Sequence, residues 1–105
     1  METQPATDCW IVERNADALG RLYINRAHRV WRIIDIALLP ECQKQGLGGM
    51  LVQWVKSSAR AARADGVDLH VLDTNCRAAA LYARMGFAST DAGTPTHRHM
   101  IWRVS

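Results

Sequence analysis

The amino-acid sequence predicts an α+β fold, a mixed sheet of six strands and two helices in the order β-β-β-α-β-α-β-β. Three observations lead there. Three strand-like runs joined by short turns occupy the first 39 residues, which makes an antiparallel meander. A helical apolar period then separates the third strand from a fourth, so these two should run parallel through a right-handed crossover. A second, shorter helical run precedes two closing strands.

Residues 1–8 are polar with one proline and are expected to be a frayed start, with a single domain over 9–105. Cys9-Trp10-Ile11-Val12-Glu13-Arg14 has strand composition, and Asn15-Ala16-Asp17 is a turn. Residues 19–25 alternate apolar with small or polar side chains, giving a second strand antiparallel to the first. The third strand, 30–39, carries Ile33, Ile34, Ile36, Leu38 and Leu39, so that apolar groups fall on both faces; this predicts a central strand covered from both sides.

From Gly49, Leu51, Trp54, Val55, Ala59 and Ala62 follow helical spacing, with a stop near Asp65-Gly66. Residues 67–72 alternate as the fourth strand. Asn75 is positioned to cap a second helix on which Ala78, Leu81, Tyr82 and Met85 share a face, and Gly86 ends it. Residues 87–90 and 98–104 are the closing strands.

The 105 residues carry a formal charge of +3, with basic residues scattered rather than clustered. A polyanionic small ligand suits that balance, whereas nucleic acid would require a concentrated basic surface, and none is expected as a partner. Cys9, Cys42 and Cys76 are odd in number and far apart, which predicts reduced thiols, buried or half-buried, in a cytoplasmic protein. No run has the length of a membrane helix, and no membrane partner is expected.

The most informative stretch is 33–55. A β-branched run stops at Pro40, a polar turn follows, and Gly46, Gly48 and Gly49 open into a helix. Unbonded N–H groups at a helix start, approached through glycines, make an anion site.

Two segments together identify a resemblance. Gln43-Lys44-Gln45-Gly46-Leu47-Gly48 matches the acyl-CoA loop, and Asn75-x-x-Ala78-x-x-Leu81-Tyr82-x-x-x-Gly86-Phe87 matches the fourth-helix motif, of the GNAT superfamily of acyl-CoA-dependent N-acetyltransferases. The resemblance spans roughly residues 9–104. It implies an N-acetyltransferase moving an acetyl group from acetyl-CoA to a small-molecule or peptide amine by direct attack, without a metal. The pyrophosphate of coenzyme A would rest on amides from about Gln43 to Gly49, through Lys44, Gln45, Gly46, Leu47 and Gly48. The resemblance further implies that Leu38 backbone groups hold the pantetheine arm and stabilise the oxyanion, that Tyr82 is the general acid, and that Asn75 touches the cofactor arm.

The general base is open between Asp35 on the central strand and Asp73 at the end of the next, with His70 a weaker candidate. Ordinary structural roles stand beside these. Asp35 is expected to pair with Arg32 or Arg21, Asn75 is explained by capping and Tyr82 by core packing, and Arg60, Arg63, Arg77 and Arg84 are solvated helix faces, with Arg77 also a candidate for a cofactor phosphate. His97 and His99 point the same way but have no third ligand, so no metal is expected.

Family members usually begin with a strand and two helices that wall the acceptor site, and this chain starts at what matches their second strand. The alternative function is therefore a truncated, non-catalytic acyl-CoA-binding module. The first strand would be an exposed edge carrying Trp10 and Ile11, which predicts a homodimer.

Overall fold

A computed structural model of the protein describes residues 7–14, 17–39 and 46–104. Its elements are β1 (Thr7–Arg14), β2 (Asp17–Asn25), β3 (Val30–Leu38), α1 (Leu47–Ala61), β4 (Gly66–Leu72), α2 (Cys76–Arg84), β5 (Ala88–Ser89) and β6 (His97–Arg103). They form one mixed sheet in the order β1-β2-β3-β4-β6-β5. The expected element order is therefore present, and the expected central strand lies between its antiparallel neighbour β2 and its parallel neighbour β4. Thr7 and Asp8, expected to be frayed, belong to β1; residues 1–6 lie outside the described residues.

Both helices pack on one face. Val52, Val55 and Ala59 of α1 join Leu22, Ile24, Trp31, Ile33, Val67, Leu69, Val71 and Met100 in a continuous buried cluster, against which Ala78, Ala79, Tyr82 and Met85 of α2 pack. Burial of these side chains supplies the main favourable free energy of this layer. α1 begins at Leu47, two residues before the helical period becomes visible, and ends at Ala61, before Asp65-Gly66. Glycine hides the period at its start. Lys56 Nζ donates to the Met85 carbonyl at 2.6 Å and thereby ties α1 to the end of α2.

The reading of β3 as covered on both faces is corrected. Ile34 is 52% exposed, and the described residues place no helix on its side of the sheet. The doubled Ile33-Ile34 instead marks a β-bulge. Ile24 pairs with Ile33 and Tyr23 with Asp35, leaving Ile34 without an opposite number. A bulge resets the alternation. Trp31 and Ile33 face the helices before it, and Ile36, opposite buried Leu22, faces them after it. Asp35 consequently lies on the open face, where an unbroken strand would have turned it inward.

The parallel pairing is short. It runs only from Val30 opposite Gly66 to Ile33 opposite Leu69, although β3 continues to Leu38 and β4 to Leu72. Two arginine-carboxylate forks staple the paired end. Arg29 holds Asp65 at 2.7 and 2.9 Å, and Arg32 holds Asp68 at 3.1 and 2.9 Å. Past Ile33 and Leu69 the strands separate.

Candidate functional site

α1 starts at Gly46, whose φ of 78° lies in the left-handed region that glycine adopts without strain. The first intrahelical bond is from the Met50 amide to the Gly46 carbonyl, and among the described residues no side chain caps the helix start. The amides of Leu47, Gly48 and Gly49 therefore have no helical acceptor, and there is no acidic residue in the first turn to oppose an anion. Gly48 and Gly49 face α2, where a Cβ would meet Leu81 at 3.6 and 3.8 Å. Their absent side chains leave this space open.

That space is a groove of about 430 Å³. One wall is Ile36 and Leu38 of β3; the floor is Gly46, Gly48 and Gly49; the other wall is Asn75, Arg77, Ala78, Leu81 and Arg84. Asn75 does cap α2, its side-chain oxygen accepting from the Ala78 amide at 3.1 Å. Arg77, Ala78, Leu81 and Arg84 repeat at helical spacing, so one face of α2 presents two guanidinium groups beside the amides of α1. A polyanion fits this combination of charge, donors and backbone access. Gln43, Lys44 and Gln45, expected among the anion-binding residues, lie outside the described residues, as does Cys42.

The groove continues into a cleft of about 250 Å³ where β3 and β4 part. Ile36, Asn75 and Ala78 line both cavities. The cleft also contains Asp35, His70, Tyr82 and His97, so the strand separation brings residues from four elements to one place. Tyr82 enters from the helix side, packed against Phe87 with ring centroids 5.8 Å apart. Burial raises the affinity of its phenol for the proton, and the Asp35 carboxylate adds to this. Asp35 accepts from Arg21 Nε at 3.0 Å, which selects Arg21 between the two expected partners.

Arg32 is committed elsewhere, to buried Asp68, which also contacts His99 Nε2 at 2.8 Å; His99 Nδ1 lies 2.6 Å from Thr90 Oγ1. Burial pushes the Asp68 carboxyl up, but hydrogen bonds from Arg32 and His99 outweigh it and leave the carboxyl below its ordinary value. This chain crosses from β3 through β4 and β6 to the end of β5. Asp73 follows β4 and is not among the residues lining the cleft. Among the described residues no group of three or more His, Cys, Asp or Glu side chains has the geometry of a metal site.

One reading changes: Cys9 and Cys76 are exposed free thiols rather than buried or half-buried. Arg84, on the exposed helix face expected for it, also lines the groove, and its seven-residue spacing from Arg77 is the signal that connects the two. Trp10 and Trp54 are 45% and 43% exposed and pack edge to face at 5.1 Å.

A split mixed sheet with a glycine-opened helix beside the split sets the groove against the opening between two strands. The sequence profile described as the acetyltransferase (GNAT) family matches residues 1–87, and the chain belongs to that family. A search of curated proteins finds no match.

Solved structures share the fold. The PaiA N-acetyltransferase of Thermoplasma acidophilum, solved with coenzyme A, superposes with a TM-score of 0.86 at 14% identity over 94% of this chain. This chain spans 62% of that one. The ribosomal-protein-S18-alanine N-acetyltransferase of Escherichia coli gives 0.84 at 21% identity, covering 95% of this chain and 70% of the other. A GNAT family acetyltransferase of Elizabethkingia anophelis with acetyl-CoA bound gives 0.84 at 18% identity, covering 95% and 78%.

Proposed function

We propose that the protein transfers an acetyl group from acetyl-CoA to an amine by direct attack, with no covalent enzyme intermediate. The observation that carries this reading is the continuity of the basic, glycine-floored groove with the cleft between β3 and β4 through Ile36, Asn75 and Ala78. Acetyl-CoA has a pyrophosphate at one end and a reactive thioester at the other, and such a passage suits both. Bound coenzyme A in the Thermoplasma structure and acetyl-CoA in the Elizabethkingia structure support the same ligand class.

In this reading the amides of Leu47, Gly48 and Gly49, with Gly46 and the preceding Gln43, Lys44 and Gln45, receive the pyrophosphate. Arg77 and Arg84 add positive charge. Leu38 backbone groups hold the pantetheine arm and donate to the oxyanion, and Asn75 lies beside that arm. Tyr82 protonates the departing thiolate. Its raised proton affinity suits it to remain an acid at neutral pH, and Asp35 contributes to that.

Tyr82→Phe tests the mechanism. Thiol release from acetyl-CoA in the presence of an amine should fall by about 100-fold or more, with acetyl-CoA affinity by calorimetry unchanged. Binding by the wild-type protein without turnover on any amine would instead identify an acyl-CoA-binding module.

We also propose a homodimer formed through β1. It is an edge strand, and its Trp10 and Ile11 are 45% and 56% exposed. A monomer in sedimentation at micromolar concentration contradicts it. The free thiols of Cys9 and Cys76 accord with a cytoplasmic setting.

A further inference from the structure

His70 is exposed while Leu69 and Val71 on either side of it are buried, so its imidazole projects from the sheet face opposite the helices. Leu69 forms the last paired rung with Ile33, which makes His70 the first residue of β4 past the point where the strands part. It lines the same cleft as Tyr82, which enters from the helix side. A thioester delivered from the α1 groove thus has a phenol on one side and an imidazole on the other. We infer that His70 is the catalytic base that takes the proton of the acceptor amine on the open face of the sheet, an assignment that rests on the acetyltransferase reading above.

The surroundings of His70 suit this task. Its ring lies against His99, with centroids 5.0 Å apart, and His99 is held between Asp68 and Thr90. A ring backed by an anchored neighbour keeps its direction. The charged and titratable groups facing it are Arg32 of β3, Asp68 of its own strand, and His97 and His99 of β6; Asp35 and Tyr82 share the cleft. Burial, then Arg32 and His99, lower its proton affinity below the ordinary imidazole value of 6.5, and Asp68 opposes them only in part. The ring is therefore neutral and able to accept a proton at pH 7. Asp35, by contrast, is already engaged by Arg21.

The reaction balances with these groups. The acceptor ammonium gives one proton to His70, and the freed lone pair forms the C–N bond to the thioester carbonyl carbon. The C–S bond then breaks, and the thiolate takes the Tyr82 proton. The remaining surplus proton on nitrogen returns to the tyrosinate through water, and His70 releases its proton to solvent. Amide, free thiol and one proton are the products.

The test is the pH dependence of kcat/KM for acetyl-CoA with spermidine, benzylamine and an alanyl peptide as acceptors. In His70→Gln, kcat/KM should fall by about 100-fold at pH 7 and the acid limb of the profile should disappear, while acetyl-CoA binding by calorimetry stays within about twofold. In His70→Ala, added imidazole should restore about tenfold of the lost rate, which a loss of folding would not permit. Asp35→Asn should keep the limb. A His70→Gln profile that retains its acid limb with activity within about threefold overturns the assignment, as does loss of the limb in Asp35→Asn. Wild-type protein that binds acetyl-CoA and releases no thiol with any of these amines overturns the acetyltransferase reading and this assignment with it.

Discussion

Arg32 grips Asp68 through two nitrogens, at 3.1 and 2.9 Å, one step before Ile33 and Leu69 form the last rung of the parallel pair. The fork closes one end of β3 and β4, and the far end is unpaired. Asp68 is 6% exposed and also holds His99, so its carboxylate joins three strands.

Asp68→Asn should cost about 2–4 kcal/mol in urea unfolding, because Arg32 and His99 lose their charged acceptor. The carboxyl has a folded-state value below its ordinary 3.8. Its contribution is thus complete above that ordinary value and is lost as pH falls through the lowered one. Wild-type stability should drop more steeply than that of Asp68→Asn below about pH 4.

Two glycines should fail in different ways. A Cβ at Gly20 would collide with the Ala37 carbonyl oxygen and stand 2.8 Å from Leu38 Cδ2, where β2 crosses the end of β3. Gly20→Ala is therefore steric and should cost about 3 kcal/mol of stability. A Cβ at Gly46 meets nothing within 4 Å, but φ is 78°, so Gly46→Ala should cost about 1–2 kcal/mol by conformation alone. Denaturant midpoints of the two variants separate these effects.

Arg77→Ala and Arg84→Ala should each weaken acetyl-CoA binding by about 5- to 10-fold, since both groups stand beside the α1 amides yet remain open to water. Acetyl-pantetheine, which lacks the pyrophosphate, should bind the variants and the wild type alike. Salt should weaken acetyl-CoA binding less in the variants. Titration calorimetry at two ionic strengths measures both.

Tyr82 must be protonated to act as an acid, and burial followed by Asp35 places its proton affinity above the ordinary 10.0. An alkaline limb in kcat/KM should accordingly lie above pH 10, and Asp35→Asn should move it downward by removing the negative charge. A limb that does not move separates Asp35 from the phenol.

Much of the architecture was legible in local pattern. Alternation marked the strands, Asn75 and Gly86 bounded α2, and the glycines marked the start of α1. β3 was the exception. Ile33-Ile34 looked like coverage on two faces because a bulge and a doubly buried strand leave the same two apolar neighbours in the sequence. Only the pairing with Tyr23 and Ile24 distinguishes them. That Arg84 also lines the groove was not legible, because it depends on which helix start lies opposite α2.

The sequence by itself determined the order of elements, the parallel relation of β3 and β4, the glycine-opened helix and the capped second helix, since each follows from side-chain period, chirality or backbone freedom within a few residues. Tertiary structure alone decided where the parallel pairing stops, that Asp35 faces Arg21, and that Arg32, Asp68 and His99 form one chain although 36 and 31 residues separate the partners. These relations are set by strand register and by a bulge, and register is chosen when the whole apolar face is buried at once. The cleft between β3 and β4 exists where their pairing ends.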